Sequence, residues 1–73
     1  MRVQVIDAVG LKGFQSVIQV DVAAPGMKGG DILEVWGDCP TLEEELRFWC
    51  KITRKTVHSV EHGALMKKIK IKF

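Results

Sequence analysis

The chain has 73 residues, of which 47% are hydrophobic and 27% charged, and its formal net charge is +2. A chain of this length is one domain, 1–73, near the size at which a single core is only marginally stabilising; its composition excludes a disordered chain, and no apolar run approaches the about 18 residues that cross a bilayer. So small a net charge does not by itself argue for nucleic-acid binding, and Met1-Arg2-Val3 enters a strand directly, which leaves no room for a signal peptide and reads as cytoplasmic.

Val3-Gln4-Val5-Ile6 opens the first strand, Val3–Asp7. Gly10 and Gly13 then permit a sharp strand-to-helix turn, because glycine tolerates positive φ. The first helix is predicted over residues 16–24, with Ser16 as its N-cap and Val17, Ile18, Val20 and Val22 as its buried side. Such a helix start attracts anions and lowers the pKa of a thiol, yet no cysteine stands there. Pro25-Gly26 ends or bends this helix, and Gly29-Gly30 turns the chain.

The second strand is predicted over residues 31–37, where Ile32, Leu33, Val35 and Trp36 give the near-continuous apolar character of a central strand. Asp38-Cys39-Pro40-Thr41 breaks it. The second helix runs from about residue 41 to 52 or 53, capped by Asp38 or Thr41, with Glu43, Glu44 and Glu45 in its positive first turn. Leu42, Leu46, Trp49 and Cys50 share its apolar side, and Lys51, Arg54 and Lys55 complement its negative end. A third strand over 56–61 leads through a His62-Gly63 turn into a fourth over 65–73. There Ile69, Ile71 and Phe73 alternate with Lys68, Lys70 and Lys72. A lysine face must stay wet, so the prediction is a two-layer α/β sandwich of order β-α-β-α-β-β: a four-stranded mixed sheet with both helices on one face.

Asp7-Ala8-Val9-Gly10-Leu11-Lys12, then Gly30-Asp31-Ile32-Leu33, Asp38-Cys39-Pro40 and Trp49-Cys50 follow in order and spacing the motifs of the TusA/SirA-like family of small sulfur carriers. The chain resembles that family from Val3 to about the last strand. The resemblance implies the same sandwich, similar to the C-terminal domain of bacterial initiation factor three, and partners among sulfur-transfer proteins. In that family Cys-Pro-x-Pro opens the first helix and its cysteine carries a persulfide. Here Gly13-Phe14-Gln15-Ser16 holds those positions, so the cysteine and both prolines are replaced. The resemblance therefore implies a divergent member without the usual carrier thiol: an interaction or accessory protein of a sulfur-relay or redox pathway, with no catalytic residue.

Two alternatives stay open. Sulfur rides on Cys39, since parallel first and second strands would bring residues 38–41 to the edge that holds Gly13. A following helix start lowers a thiol pKa there, while three glutamates oppose it, and the competing reading is an ordinary loop cysteine. Alternatively, Lys68, Lys70 and Lys72 contact RNA phosphates weakly, or an acidic partner; the competing reading is a solvated face that resists aggregation. Cys50 reads as a small core hydrophobe, and a helix between the cysteines would hold them about 16 Å apart, too far for a disulfide. His58, His62 and Cys39 fit no short metal motif, so no metal and no cofactor are expected.

Overall fold

Alternation at the end of the chain decides how the sheet is covered. In the computed structural model, which describes residues 2–12 and 14–73, Ile69 and Ile71 are fully buried and the lysines that alternate with them, Lys68, Lys70 and Lys72, take the opposite face. The elements are β1 (Val3–Asp7), α1 (Gln15–Ala23) with a 3-10 turn (Ala24–Gly26), β2 (Ile32–Gly37), α2 (Leu42–Thr53), β3 (Thr56–His62) and β4 (Lys67–Lys72). The four strands lie in the order β1-β2-β4-β3. β1 is parallel to β2, with Val3 opposite Ile32 and Asp7 opposite Trp36. β4 is antiparallel to both β2 and β3, so β1, β2 and β3 all end at one edge.

One cluster forms the core. Leu33 and Val35 of β2 and Ile69 and Ile71 of β4 meet Val20 of α1 and Leu42, Leu46, Trp49 and Cys50 of α2. Both helices therefore cover the same sheet face. They are joined where the Trp49 indole N–H donates to Asp21 Oδ1 at 3.2 Å. α2 has the expected stripe and the expected acidic first turn. It closes with Arg54 in the left-handed region at φ 59°, and the Arg54 and Lys55 N–H groups both donate to the Cys50 carbonyl.

α1 departs from expectation. It begins at Gln15, and Ser16 is not its cap: Ser16 lies inside the helix, 1% exposed, while Phe14 holds the cap position without a side-chain bond. Ser16 precedes Val20 by four residues and so shares its inward face. Ile18 and Val22 are 57% and 74% exposed, not buried. At 100° per residue both stand on the far side of the helix from Val20.

Other boundaries move for local reasons. Asp31 precedes β2 instead of opening it, because its carboxylate accepts the Arg2 N–H at 2.9 Å and the Lys28 N–H at 3.0 Å. Neither Asp38 nor Thr41 caps α2 through its side chain: the Thr41 hydroxyl donates to Glu45 Oε1 at 2.9 Å, and Asp38 is engaged elsewhere. His62 is the last residue of β3, and β4 starts at Lys67, which leaves Leu65 in the turn. Among the described residues no helix is long and apolar enough to cross a membrane.

Candidate functional site

The edge where three strands end carries the loops that follow β1, β2 and β3. Among the described residues, the β1–α1 loop, residues 8–12 and 14, is tied to the end of β2 and to the β2–α2 loop, residues 38–41, by two bonds. Ala8 N–H donates to the Trp36 carbonyl at 2.7 Å, and Gly10 N–H donates to Asp38 Oδ1 at 2.9 Å. Gly10 sits at φ 87°, which glycine adopts without the strain a side chain would bring. The Lys12 N–H donates to Gln15 Oε1 at 3.0 Å, so the Gln15 side chain steadies the approach to α1. The β3–β4 turn, residues 63–66, closes with Gly63 N–H on the Met66 carbonyl at 2.9 Å. A Cβ on residue 63 would lie 2.7 Å from that same oxygen, so only glycine fits the turn.

Between the second and third of these loops lies a shallow pocket of about 180 Å³, walled by Asp38, Cys39 and Pro40 on one side and by Gly63, Leu65 and Met66 on the other. Cys39 is half-buried on that wall, with Sγ 3.3 Å from the Thr41 hydroxyl oxygen. On the loops of this edge three side chains stand out into solvent: Val9 at 48%, Phe14 at 70% and Leu65 at 90% exposure. Large apolar side chains on scaffolded loops are the usual material of a contact surface. Glu43, at the start of α2, turns to Arg47 at 3.0 Å and to His62 and Lys67 at 3.9 Å. The hydrogen bond from Arg47, helped by the charges of Arg47, Lys67 and His62, holds its carboxyl below the usual carboxylate range.

The residues singled out in the sequence separate. Gly13 lies outside the described residues. Of the other positions that replace Cys-Pro-x-Pro, Phe14 and Gln15 are exposed and Ser16 is buried, so they form no continuous surface. Cys39 reaches the expected edge. Cys50 is buried at 3% exposure, and burial pushes its thiol up to about 11. Cys39 and Cys50 are not joined by a disulfide.

The lysine face is less basic than its sequence suggests. Lys68 lies over the Trp36 ring, 5.0 Å from its centroid, and Lys70 pairs with Glu34 at 3.8 Å. Trp36 also donates its indole N–H to Glu34. Glu34 lines a hollow of about 280 Å³ together with Ile32, His58, Ser59, Lys70 and Lys72. A carboxylate in that place opposes phosphate. His58 is on the outer strand β3 and His62 beside Glu43. Among the described residues no group of three or more His, Cys, Asp and Glu is placed to hold a metal ion.

Sequence reasoning missed the β3–β4 turn as part of this edge. The signal was there: Lys67-Lys68 breaks the alternation of apolar and lysine positions, which marks the strand start and leaves Leu65 outside it. No protein-family model matches the chain, and no curated protein matches it.

Proposed function

We propose that this chain is a divergent TusA/SirA-like protein of the cytoplasm that works by docking on a protein of a sulfur-relay or redox pathway, through the edge formed by residues 8–12, 14, 38–41 and 63–66. The observation that carries this reading is that the loops of this edge expose Val9, Phe14 and Leu65, with Leu65 on the wall of the pocket that Cys39 also lines. The loops that hold them are fixed by backbone bonds and by Asp38. A surface already rigid loses little entropy on association, which favours binding.

The test mixes the protein with a cysteine desulfurase or a sulfurtransferase and follows the complex by sedimentation. Binding that is lost in the double variant Phe14→Asp, Leu65→Asp supports the edge as the docking surface. Binding untouched by that variant removes it.

A second reading has its own observation. Cys39 stands on the pocket wall at this edge and Cys50 does not. In that reading the docked enzyme transfers sulfur to Cys39. Incubation with a desulfurase and cysteine, followed by intact-mass measurement, separates the two. A gained sulfur atom that disappears in Cys39→Ser makes the protein a carrier; no gain leaves it a docking protein.

A further inference from the structure

Four large apolar side chains stand outward from the helix layer. Ile18 and Val22 of α1 and Phe48 and Ile52 of α2 are each more than half exposed. Within each helix the two are four residues apart, so each pair forms one ridge. α2 also sets charges around its ridge. Counted at 100° per residue from the buried Leu42, Leu46, Trp49 and Cys50, its outward line carries Glu44 and Lys51, about 10 Å apart along the axis, with Phe48 between them. Both charges are exposed, and among the described residues neither forms an ion pair within its own chain.

The two helices are in step. Each follows a strand that ends at the loop edge, so α1 and α2 run in the same direction. The bond from the Trp49 indole N–H to Asp21 Oδ1 sets residues 49 and 21 at one level. Phe48 is then level with Val20, which lies midway between Ile18 and Val22 on α1. Phe48 itself lies close to the midpoint of Glu44 and Lys51. The apolar ridge of one helix and the charge pair of the other are therefore centred at the same height.

We propose that two copies of this chain dock helix layer to helix layer, α2 antiparallel on α2 and α1 antiparallel on α1, about a two-fold axis that crosses the helices level with Phe48 and Val20. One axis then meets the demands of an isologous contact. Glu44 of each copy comes to Lys51 of the other, Phe48 to Phe48, and Ile18 to Val22. Laying α2 on α2 in parallel sets Glu44 on Glu44 and Lys51 on Lys51 instead. The other charges of the layer are held aside. Arg47 pairs with Glu43 on the flank away from α1. Asp21 and Glu45 turn into the furrow between the helices, where they accept the Trp49 N–H and the Thr41 hydroxyl. A lipid surface is a poor occupant, since Lys68, Lys70 and Lys72 lie on the opposite face of the sandwich and Glu44 stands in the middle of this one. A foreign helix would cover the apolar ridges equally. What a copy of this chain adds is a lysine opposite Glu44 and a glutamate opposite Lys51, supplied by the same symmetry that sets Ile18 on Val22.

The experiment is sedimentation equilibrium on the full chain. The expected wild-type mass at millimolar concentration is twice the 8.2 kDa of one copy. Glu44→Lys and Lys51→Glu should each weaken the dimer about tenfold or more at low salt, because one reversal spoils two contacts. An equimolar mixture of these two variants should associate as tightly as the wild type, since every charge then faces its opposite. The double variant Glu44→Lys, Lys51→Glu should do so alone. Phe48→Asp changes an exposed residue, sets two carboxylates at the axis and should sediment at the single mass. A wild-type chain that stays monomeric overturns the proposal and leaves the face to a different partner. So does a dimer that both single reversals leave intact, or a mixture of the two that is no tighter than either alone. A dimer kept in Phe48→Asp and lost in the double variant Phe14→Asp, Leu65→Asp places the contact at the loop edge and overturns it as well.

Discussion

The Asp38 carboxylate accepts the Gly10 N–H at 2.9 Å across 28 residues of sequence, and this bond joins the two loops that follow the parallel strands. Gly10 holds φ 87° there, so the donor points where it does because of a backbone state that Asp38 helps to select. Replacing Asp38 by alanine removes the acceptor from an exposed bond, and the expected cost to stability is about 0.5–1.5 kcal/mol. The larger effect should fall on the loops. Amide exchange at Gly10 should rise while the α2 core amides keep their protection. Unchanged exchange at Gly10 would mean that the turn alone fixes the loop.

Leu46 is fully buried in the centre of α2, between Leu42 and Cys50 on the face that meets the sheet. Truncation to alanine leaves a cavity in the core cluster of the described residues. The expected loss is about 2–5 kcal/mol, read from denaturant unfolding. In a domain of this size that is a large share of the whole stability. A loss near zero would show that the helix layer repacks around the gap.

These two residues also show how much was legible. Leu42, Leu46, Trp49 and Cys50 recur at helical spacing, and Ile69 and Ile71 alternate with lysines, so the sandwich and its covered face could be read directly. α1 could not be read that way. Val17, Ile18, Val20 and Val22 are too evenly apolar to mark one side, and apolar residues were assigned inward although only one flank can be buried. The site followed the same division. Cys39 came to the expected edge because parallel strands must end together. Leu65 was misplaced in a strand because it has the same parity as Ile69 and Ile71, although Lys67 between them breaks the alternation, and its turn depends on the close approach of Gly63 to Met66.

Ser16 shows the cost of that misreading in chemical form. Its hydroxyl is buried and has no hydrogen-bond partner among the described residues. A buried hydroxyl without a partner keeps its desolvation penalty and returns nothing. Ser16→Ala should therefore leave stability unchanged or raise it by about 1 kcal/mol. A clear loss in thermal unfolding would mean that the hydroxyl is bonded in solution.

Asp31 predicts the acid behaviour of the protein. The N–H groups of Lys28 and Arg2, assisted by the charge of Arg2, hold its carboxyl below its ordinary value of 3.8. A carboxyl with a depressed folded pKa stabilises the fold above its unfolded pKa. That stabilisation is lost as pH falls through the folded value. Asp31→Asn should thus differ most from the wild type near neutral pH, and the gap should shrink as pH falls below about 4. A constant gap down to the lowest accessible pH would show that the carboxylate's charge contributes nothing and that only its shape matters.

The two thiols should behave as different chemical groups. Cys50 is 3% exposed, and burial raises its pKa to about 11. Near pH 8 that leaves roughly a thousandth of it as thiolate, behind the packed face of α2. Cys39 lies half-buried on the wall of an open pocket, at the end of a loop and beside the Thr41 hydroxyl. A thiol-disulfide reagent should therefore titrate one group in the folded protein and the second only after denaturant is added. The fast group should vanish in Cys39→Ser and persist in Cys50→Ser. The order matters for function, since an incoming sulfur needs an accessible thiol, and of the two cysteines Cys39 is the one on the loop edge. If Cys50 reacts first, then α2 opens in solution on the time scale of the reagent. The burial that ranks Cys39 above it would then fail, and with it the reading of Cys39 as the alternative acceptor.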